Sequence, residues 1–138
     1  GVLMFRIVKT IDFCYGHRLL HYEGKCRNLH GHNGRVEVEL AGESLDPRGM
    51  LADFGDVKRL VKRWIDDHLD HRMILHTDDP AVDFIQSRGE PIFLMEENPT
   101  AEAIARVIYN QCRSMGLPVV RVTLWETPDS SATYAPPA

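Results

Sequence analysis

The sequence predicts an α+β fold: an antiparallel sheet with two helices on one face. Three features carry that prediction. Two segments near the N-terminus alternate apolar and polar residues, and two later segments repeat apolar residues at helical spacing. The segments run in the order β-β-α, then a short helix and a strand, then α-β.

Residues 4–17 put Phe5, Ile7, Ile11, Phe13, Tyr15 and His17 on one parity, interrupted only by Lys9. That is a strand with one buried face. "LLHYEGKCRNL" holds no period and contains Gly24, so a loop follows. Alternation returns in "HGHNGRVEVEL", with His30, His32, Val36, Val38 and Leu40 on one side and Arg35, Glu37 and Glu39 on the other. Two strands joined by a loop predict an antiparallel pair. Turn residues fill "GESLDPRGM". A helix then starts at Asp53 as N-cap, with Phe54, Val57, Leu60, Val61, Trp64 and Ile65 at helical spacing, and ends near Leu69. "HTDDPAVDFIQSRG" predicts a loop and a short helix, opened by Pro80 and closed near Gly89. "PIFLME" is a short strand. "NPT" opens a second long helix, with Ala101, Ile104, Ala105, Ile108, Cys112 and Met115 on one face, stopped by Gly116 and Pro118. "VVRVTLWET" is the last strand, and "PDSSATYAPPA" is a turn-rich tail that frays.

The length of 138 residues fits one domain over 1–138. Hydrophobic content of 43% and charged content of 26% are those of a globular protein. A net charge of −4 argues against a nucleic-acid binder, which would carry a basic stripe. A local basic pocket for a small anion stays compatible with it. No apolar run is long enough to span a membrane, and no signal peptide is visible at the start. Cys14, Cys26 and Cys112 are odd in number and irregular in spacing, which is not a disulfide framework. A reducing, cytoplasmic setting is expected.

The stretch "CRNLHGH" raises the question of chemistry. His30 and His32 are two apart on a strand, so their side chains leave the same face. His17 ends the preceding strand on its mainly apolar face, where a hairpin would bring it opposite the pair. Three neutral imidazoles with an open fourth position describe a catalytic zinc site. Cys26 offers a fourth ligand, which would make the site closed and structural. Cys14 stands three residues before His17 and so points to the other face, where packing is its expected role. Cys112, on the apolar helix face, is expected buried and inert. Asp70 and His71 pair a carboxylate with an imidazole, either for proton transfer or as a helix C-terminal cap. Glu126 continues the row Val120, Val122, Leu124, so it lies past the core edge or is buried with a partner.

Taken in order, "FCYGHRL", "GKCRNLHGHN", "GMLADFGDVK", "LDHRMIL", "ENPTAEAIA" and "WETPDSSATY" resemble the family of 6-pyruvoyl-tetrahydropterin synthase and its bacterial relative, 6-carboxy-5,6,7,8-tetrahydropterin synthase. The resemblance covers nearly the whole chain. It implies the tunnelling fold, a four-stranded antiparallel sheet with two helices on one face. It implies homo-oligomers, trimers often doubled to hexamers, with sites between subunits. His17, His30 and His32 match the zinc ligands, and Cys26 the catalytic thiol, near the metal without binding it. Asp70 and His71 match the rest of the proton-transfer machinery, and Glu126 the glutamate that anchors the pterin. The implied activity is a zinc-dependent lyase acting on 7,8-dihydroneopterin triphosphate. Its "CRNLHGHN" form and compact chain favour the carboxy product, made with release of triphosphate and acetaldehyde for queuosine biosynthesis. The alternatives are the pyruvoyl product, an aldolase-type activity on unphosphorylated dihydroneopterin, and a non-catalytic zinc- or pterin-binding module. Two departures stand out. Cys14 and Tyr15 occupy positions where small or acidic residues are common, and the segment 76–97 is longer than in compact bacterial members.

Overall fold

The computed structural model describes residues 4–137. In chain order its elements are β1 (Phe5–His17), β2 (His30–Gly42), α1 (Phe54–His68), β3 (Arg72–His76), α2 (Ala81–Ser87), β4 (Ile92–Met95), α3 (Ala101–Ser114), β5 (Val119–Thr127) and β6 (Ser130–Tyr134). β1 and β2 are antiparallel along their whole length, from Phe5 opposite Gly42 to His17 opposite His30. The alternation read in the sequence is the alternation of burial. Ile11, Phe13, Tyr15, Val36, Val38 and Leu40 point into the core, while Asp12, Asn33 and Arg35 are exposed on the other face.

The sheet has six strands in the order β4-β3-β1-β2-β5-β6. Strands β1, β2, β5 and β6 form an antiparallel set, and β3 and β4 add a parallel pair at the β1 edge. The sheet is therefore mixed, with two more strands than expected. Ile74 and Leu75, adjacent in β3, are both fully buried. A parallel strand covered on both faces shows no alternation, so "RMILH" carries no period to read. The tail also differs from expectation, because Ser130–Tyr134 returns along β5 as an edge strand. Asp129 holds the turn by accepting hydrogen bonds from the hydroxyls of Thr127 (2.8 Å) and Ser130 (3.0 Å). Tyr134 then packs edge-on against Tyr109, with ring centroids 5.1 Å apart.

Both long helices lie on the core face. Val57, Val61 and Ile65 of α1 and Ile104, Ile108 and Cys112 of α3 belong to one buried cluster with the sheet. Their caps are those read in the sequence. Asp53 Oδ1 accepts from the Gly55 and Asp56 amides (2.7 and 3.3 Å), and Thr100 Oγ1 accepts from Ala103 (3.1 Å). Gly116, at φ +83°, ends α3 in the left-handed conformation that favours glycine. Burial pushes the Cys112 thiol up to about 12, so it is inert at neutral pH. Phe54, expected on the buried face of α1, is exposed at the first turn.

On the opposite face two outward polar residues are buried, Glu39 and Thr123. Glu39 is 6% exposed and sits between Arg6 and Arg121, each 2.8 Å away. The two guanidiniums compensate the buried carboxylate. The segment 76–97 extends the sheet at its β3 edge as α2 and β4, with Met95 joining the buried core. No helix among the described residues is long and apolar enough to cross a membrane.

Candidate active site

The hairpin of β1 and β2 brings three histidines to one end of the sheet, on the core face. His17 and His30 are direct cross-strand partners, and His32 follows two residues along β2. Their ring centroids are 4.5, 5.1 and 5.1 Å apart, and one nitrogen from each lies within 4.8 Å of the others. The Nδ1 of His17 lies 2.7 Å from the Pro99 carbonyl, and that of His30 lies 2.7 Å from the Asn28 carbonyl. A carbonyl only accepts, so both Nδ1 atoms carry a proton, and the lone pair of each neutral ring is on Nε2. Burial lowers the pKa of His17, more than the Pro99 carbonyl and Glu126 raise it, which keeps the ring neutral. The Nε2 atoms of all three histidines are buried and have no hydrogen-bond partner among the described residues. Buried polar atoms without partners call for one. Three converging imidazole lone pairs, two of them fixed by carbonyl hydrogen bonds, are the arrangement that holds a metal ion.

Two more side chains complete this end of the core. Glu126 extends from β5, with its side chain 24% exposed. Its carboxylate lies 3.7 Å from His32 Nε2 and 4.0 Å from His17 Nε2. It is half-buried, between the two outcomes left open by the sequence. Tyr15, between Phe13 and His17, is buried with its hydroxyl 3.5 Å from the same carboxylate. Its ring fits because position 34 is glycine: a Cβ there would stand 3.0 Å from the Tyr15 ring. Burial, then the charge of Glu126, raises the Tyr15 pKa far above its ordinary value, so the phenol keeps its proton.

Asp70 and His71 do not join this cluster. They follow α1 directly, and the Cys14 amide donates to Asp70 Oδ1 at 2.9 Å, fastening the turn to β1. His71 sits at φ +59°, uncommon for a residue with a side chain. Its Nδ1 is 2.8 Å from Asp70 Oδ2, so the pair is formed as one unit. Burial works to raise the Asp70 pKa, but the Cys14 amide and His71 outweigh it and hold the carboxyl below the usual range. His71 opens onto the sheet face away from the core. There it lines a cleft of about 850 Å³ with Asp12, Cys14, Asn33, Glu37 and Trp125. Ile85, Glu90 and Pro91 of the long segment wall a neighbouring cleft that His71 also lines. Cys14, expected to pack, borders both clefts, with its thiol 2.9 Å from Asn33 Oδ1.

Cys26 lies in a short 3-10 turn, Lys25–Arg27, within the loop joining β1 to β2. It is partly exposed and free of disulfide. The cluster of ligand atoms comprises the three histidines and does not include its sulfur. Sequence reasoning missed the supports of this loop. Arg18 forms a two-pronged ion pair with Asp79, whose side chain is fully buried (Nε to Oδ2 2.7 Å). Asn98 bonds to both backbone groups of Leu20 (2.8 and 2.9 Å). A carbonyl such as that of Pro99 leaves no trace in side-chain identity, and "NPT" in the sequence signals only a helix start.

Comparison with known proteins places nearly the whole chain in one family. At 38% identity the chain is similar to the 6-carboxy-5,6,7,8-tetrahydropterin synthase of Rickettsia conorii, over 91% of this chain and 96% of that protein. The Haemophilus influenzae protein of the same name is 35% identical, over 95% and 99%. Among solved structures, an uncharacterized protein from Wolinella succinogenes superposes with a TM-score of 0.78 at 31% identity, covering 96% of this chain and 98% of that one. The 6-pyruvoyl tetrahydropterin synthase of Caenorhabditis elegans gives 0.71 at 27% identity, covering 99% and 98%. With residues 6–137 matched by the family described as 6-pyruvoyl tetrahydropterin synthase, the chain belongs to that family.

Proposed function

We propose that this protein is a zinc-dependent 6-carboxy-5,6,7,8-tetrahydropterin synthase. It would convert 7,8-dihydroneopterin triphosphate to 6-carboxytetrahydropterin, releasing triphosphate and acetaldehyde, and so serve queuosine biosynthesis. The names of the relatives support the product. The single observation that carries the chemistry is the set of three buried, unpartnered Nε2 atoms of His17, His30 and His32. Neutral nitrogen donors suit zinc. When bound, zinc would supply a Lewis acid that polarises substrate oxygens and makes neighbouring C–H bonds more acidic.

The protein's own groups would move the protons. Cys26, as thiolate, takes a carbon-bound proton from the substrate side chain. His71, oriented by Asp70 through its Nδ1, exchanges a proton with the substrate through its Nε2. Glu126 accepts hydrogen bonds from the amino-pyrimidine edge of the pterin. A second role fits its position as well: 3.7 Å from His32 Nε2, its carboxylate also reaches a substrate oxygen held at the histidines. His71 faces the side of the sheet away from the cluster, which supports sites shared between subunits of a trimer or hexamer.

Incubation with 7,8-dihydroneopterin triphosphate and identification of the products by mass spectrometry tests the proposal. Acetaldehyde and the carboxy product are expected. The pyruvoyl product would assign the alternative activity, and stoichiometric binding without turnover would make the protein a binding module. Equal turnover of unphosphorylated dihydroneopterin would point to aldolase-type chemistry.

A further inference from the structure

We infer that Asn98 is a positioning residue for the Cys26 thiol, acting through the backbone of Leu19 and Leu20. The inference rests on the role proposed for Cys26.

The loop between β1 and β2 has one short helical turn and no strand of its own. A segment of this kind is mobile unless something ties it down. Asn98 does so with both ends of its amide: Oδ1 accepts from the Leu20 amide at 2.8 Å, and Nδ2 donates to the Leu20 carbonyl at 2.9 Å. This satisfies a backbone donor and acceptor together, as a strand partner would. The next residue back passes the restraint on, because the Leu19 amide donates to the Cys26 carbonyl at 2.9 Å. Two links therefore join Asn98 to the backbone of the thiol residue.

The other end of the chain of contacts is rigid. Asn98 immediately precedes Pro99, whose carbonyl fixes His17 Nδ1, and Thr100, which caps α3. Helix α3 is held by buried Ala103, Ile104, Ala105 and Ile108. A core helix thus sets, from adjacent residues, the ring of a metal-cluster histidine through Pro99 and the thiol loop through Asn98. The carbonyl contact is independent of side-chain identity at 98, so the two functions separate by mutation.

The test uses Asn98→Ala and Asn98→Asp in the full chain. The aspartate keeps the acceptor but places a carboxylate oxygen against the Leu20 carbonyl. Zinc content, thermal midpoint, kcat and KM are measured. So is the iodoacetamide alkylation rate of Cys26, with Cys14 of the same molecule as internal standard. In both variants zinc and Cys14 alkylation should match wild type, and KM should stay within about twofold. Misplacement of a reacting group by about 1 Å costs on the order of 10²-fold, so kcat should fall by about 10- to 100-fold. The Cys26 alkylation rate should change at least about threefold. Wild-type alkylation at Cys26 in a folded variant overturns the inference. So does loss of zinc in step with activity, which would make Asn98 a support of the metal cluster. If Asn98→Ala does not fold, Asn98→Asp decides between the same two outcomes. Full turnover by Cys26→Ala would instead remove the role of the thiol, while the alkylation readout still reports whether Asn98 positions it.

Discussion

Replacing His30 by alanine deletes one of three lone pairs aimed at a common point, and the remaining two cannot hold an ion at comparable strength. His30→Ala should therefore lose most of the zinc measured by elemental analysis, and unchanged zinc would remove it from the ligand set. Cys26 makes the opposite prediction, since its sulfur lies outside the ligand cluster. Cys26→Ala should keep zinc and fold but lose turnover by about 10²–10⁴-fold, the usual contribution of a proton-transfer group. Zinc loss in that variant would mean a closed, four-ligand site. Glu126→Gln keeps size but turns one acceptor toward a donor. If the carboxylate holds the pterin ring, titration with a pterin product analogue should show affinity reduced by about 1.5–3 kcal/mol. Wild-type affinity with reduced kcat would instead assign Glu126 to the substrate oxygen beside His32.

Among the elements, the Arg18–Asp79 pair ties the start of the thiol loop to a position two residues before α2. Hydrogen bonds from Arg18, against the opposing effect of burial, hold the Asp79 carboxyl below its usual range. A folded pKa below the unfolded one contributes stability that is complete above the unfolded value of about 3.9 and is lost as pH falls through the lower folded value. Asp79→Ala leaves Arg18 without its partner, and breaking such a pair costs about 3–5 kcal/mol when both charges are buried. Arg18 is 22% exposed, so a loss of about 2–3 kcal/mol in urea unfolding at pH 7 is expected. The difference from wild type should shrink below about pH 4. These supports also show where the sequence stops being legible. The hairpin, both long helices and their caps follow from period and cap chemistry, and the histidine cluster follows from parity on two strands. β3 escaped because burial on both faces erases alternation, and β6 because an edge strand of Ser, Ala and Thr resembles a turn. Asn98 and Asp79 act across 78 and 61 residues of sequence, a separation that no local pattern records.

At the scale of the whole molecule, the sheet ends in open strands, β4 on one side and β6 on the other. Exposed edges invite pairing with another chain. Light scattering after size exclusion should give a mass three or six times the 15.7 kDa of the chain, and a monomeric mass would remove the shared-site proposal. The cluster and the Asp70–His71 pair lie toward opposite faces of the sheet. Co-expressed Cys26→Ala and His71→Ala chains should therefore regain activity that neither has alone. Mixed oligomers without activity would place both groups in the same subunit's site.

One consequence of the two-faced strand β1 concerns variation in its length. Tyr15 and His17 look inward and Cys14 looks outward, on consecutive turns of the same pleat. Losing or gaining one residue between Ile11 and His17 would exchange those faces, sending the imidazole toward the cleft and the thiol toward the core. A change of two restores the faces but moves His17 off its partner His30. The segment can therefore diverge by substitution and not by insertion or deletion. Identity at positions 14 and 15 is open to substitution, while the spacing that sets them on their two faces stays fixed.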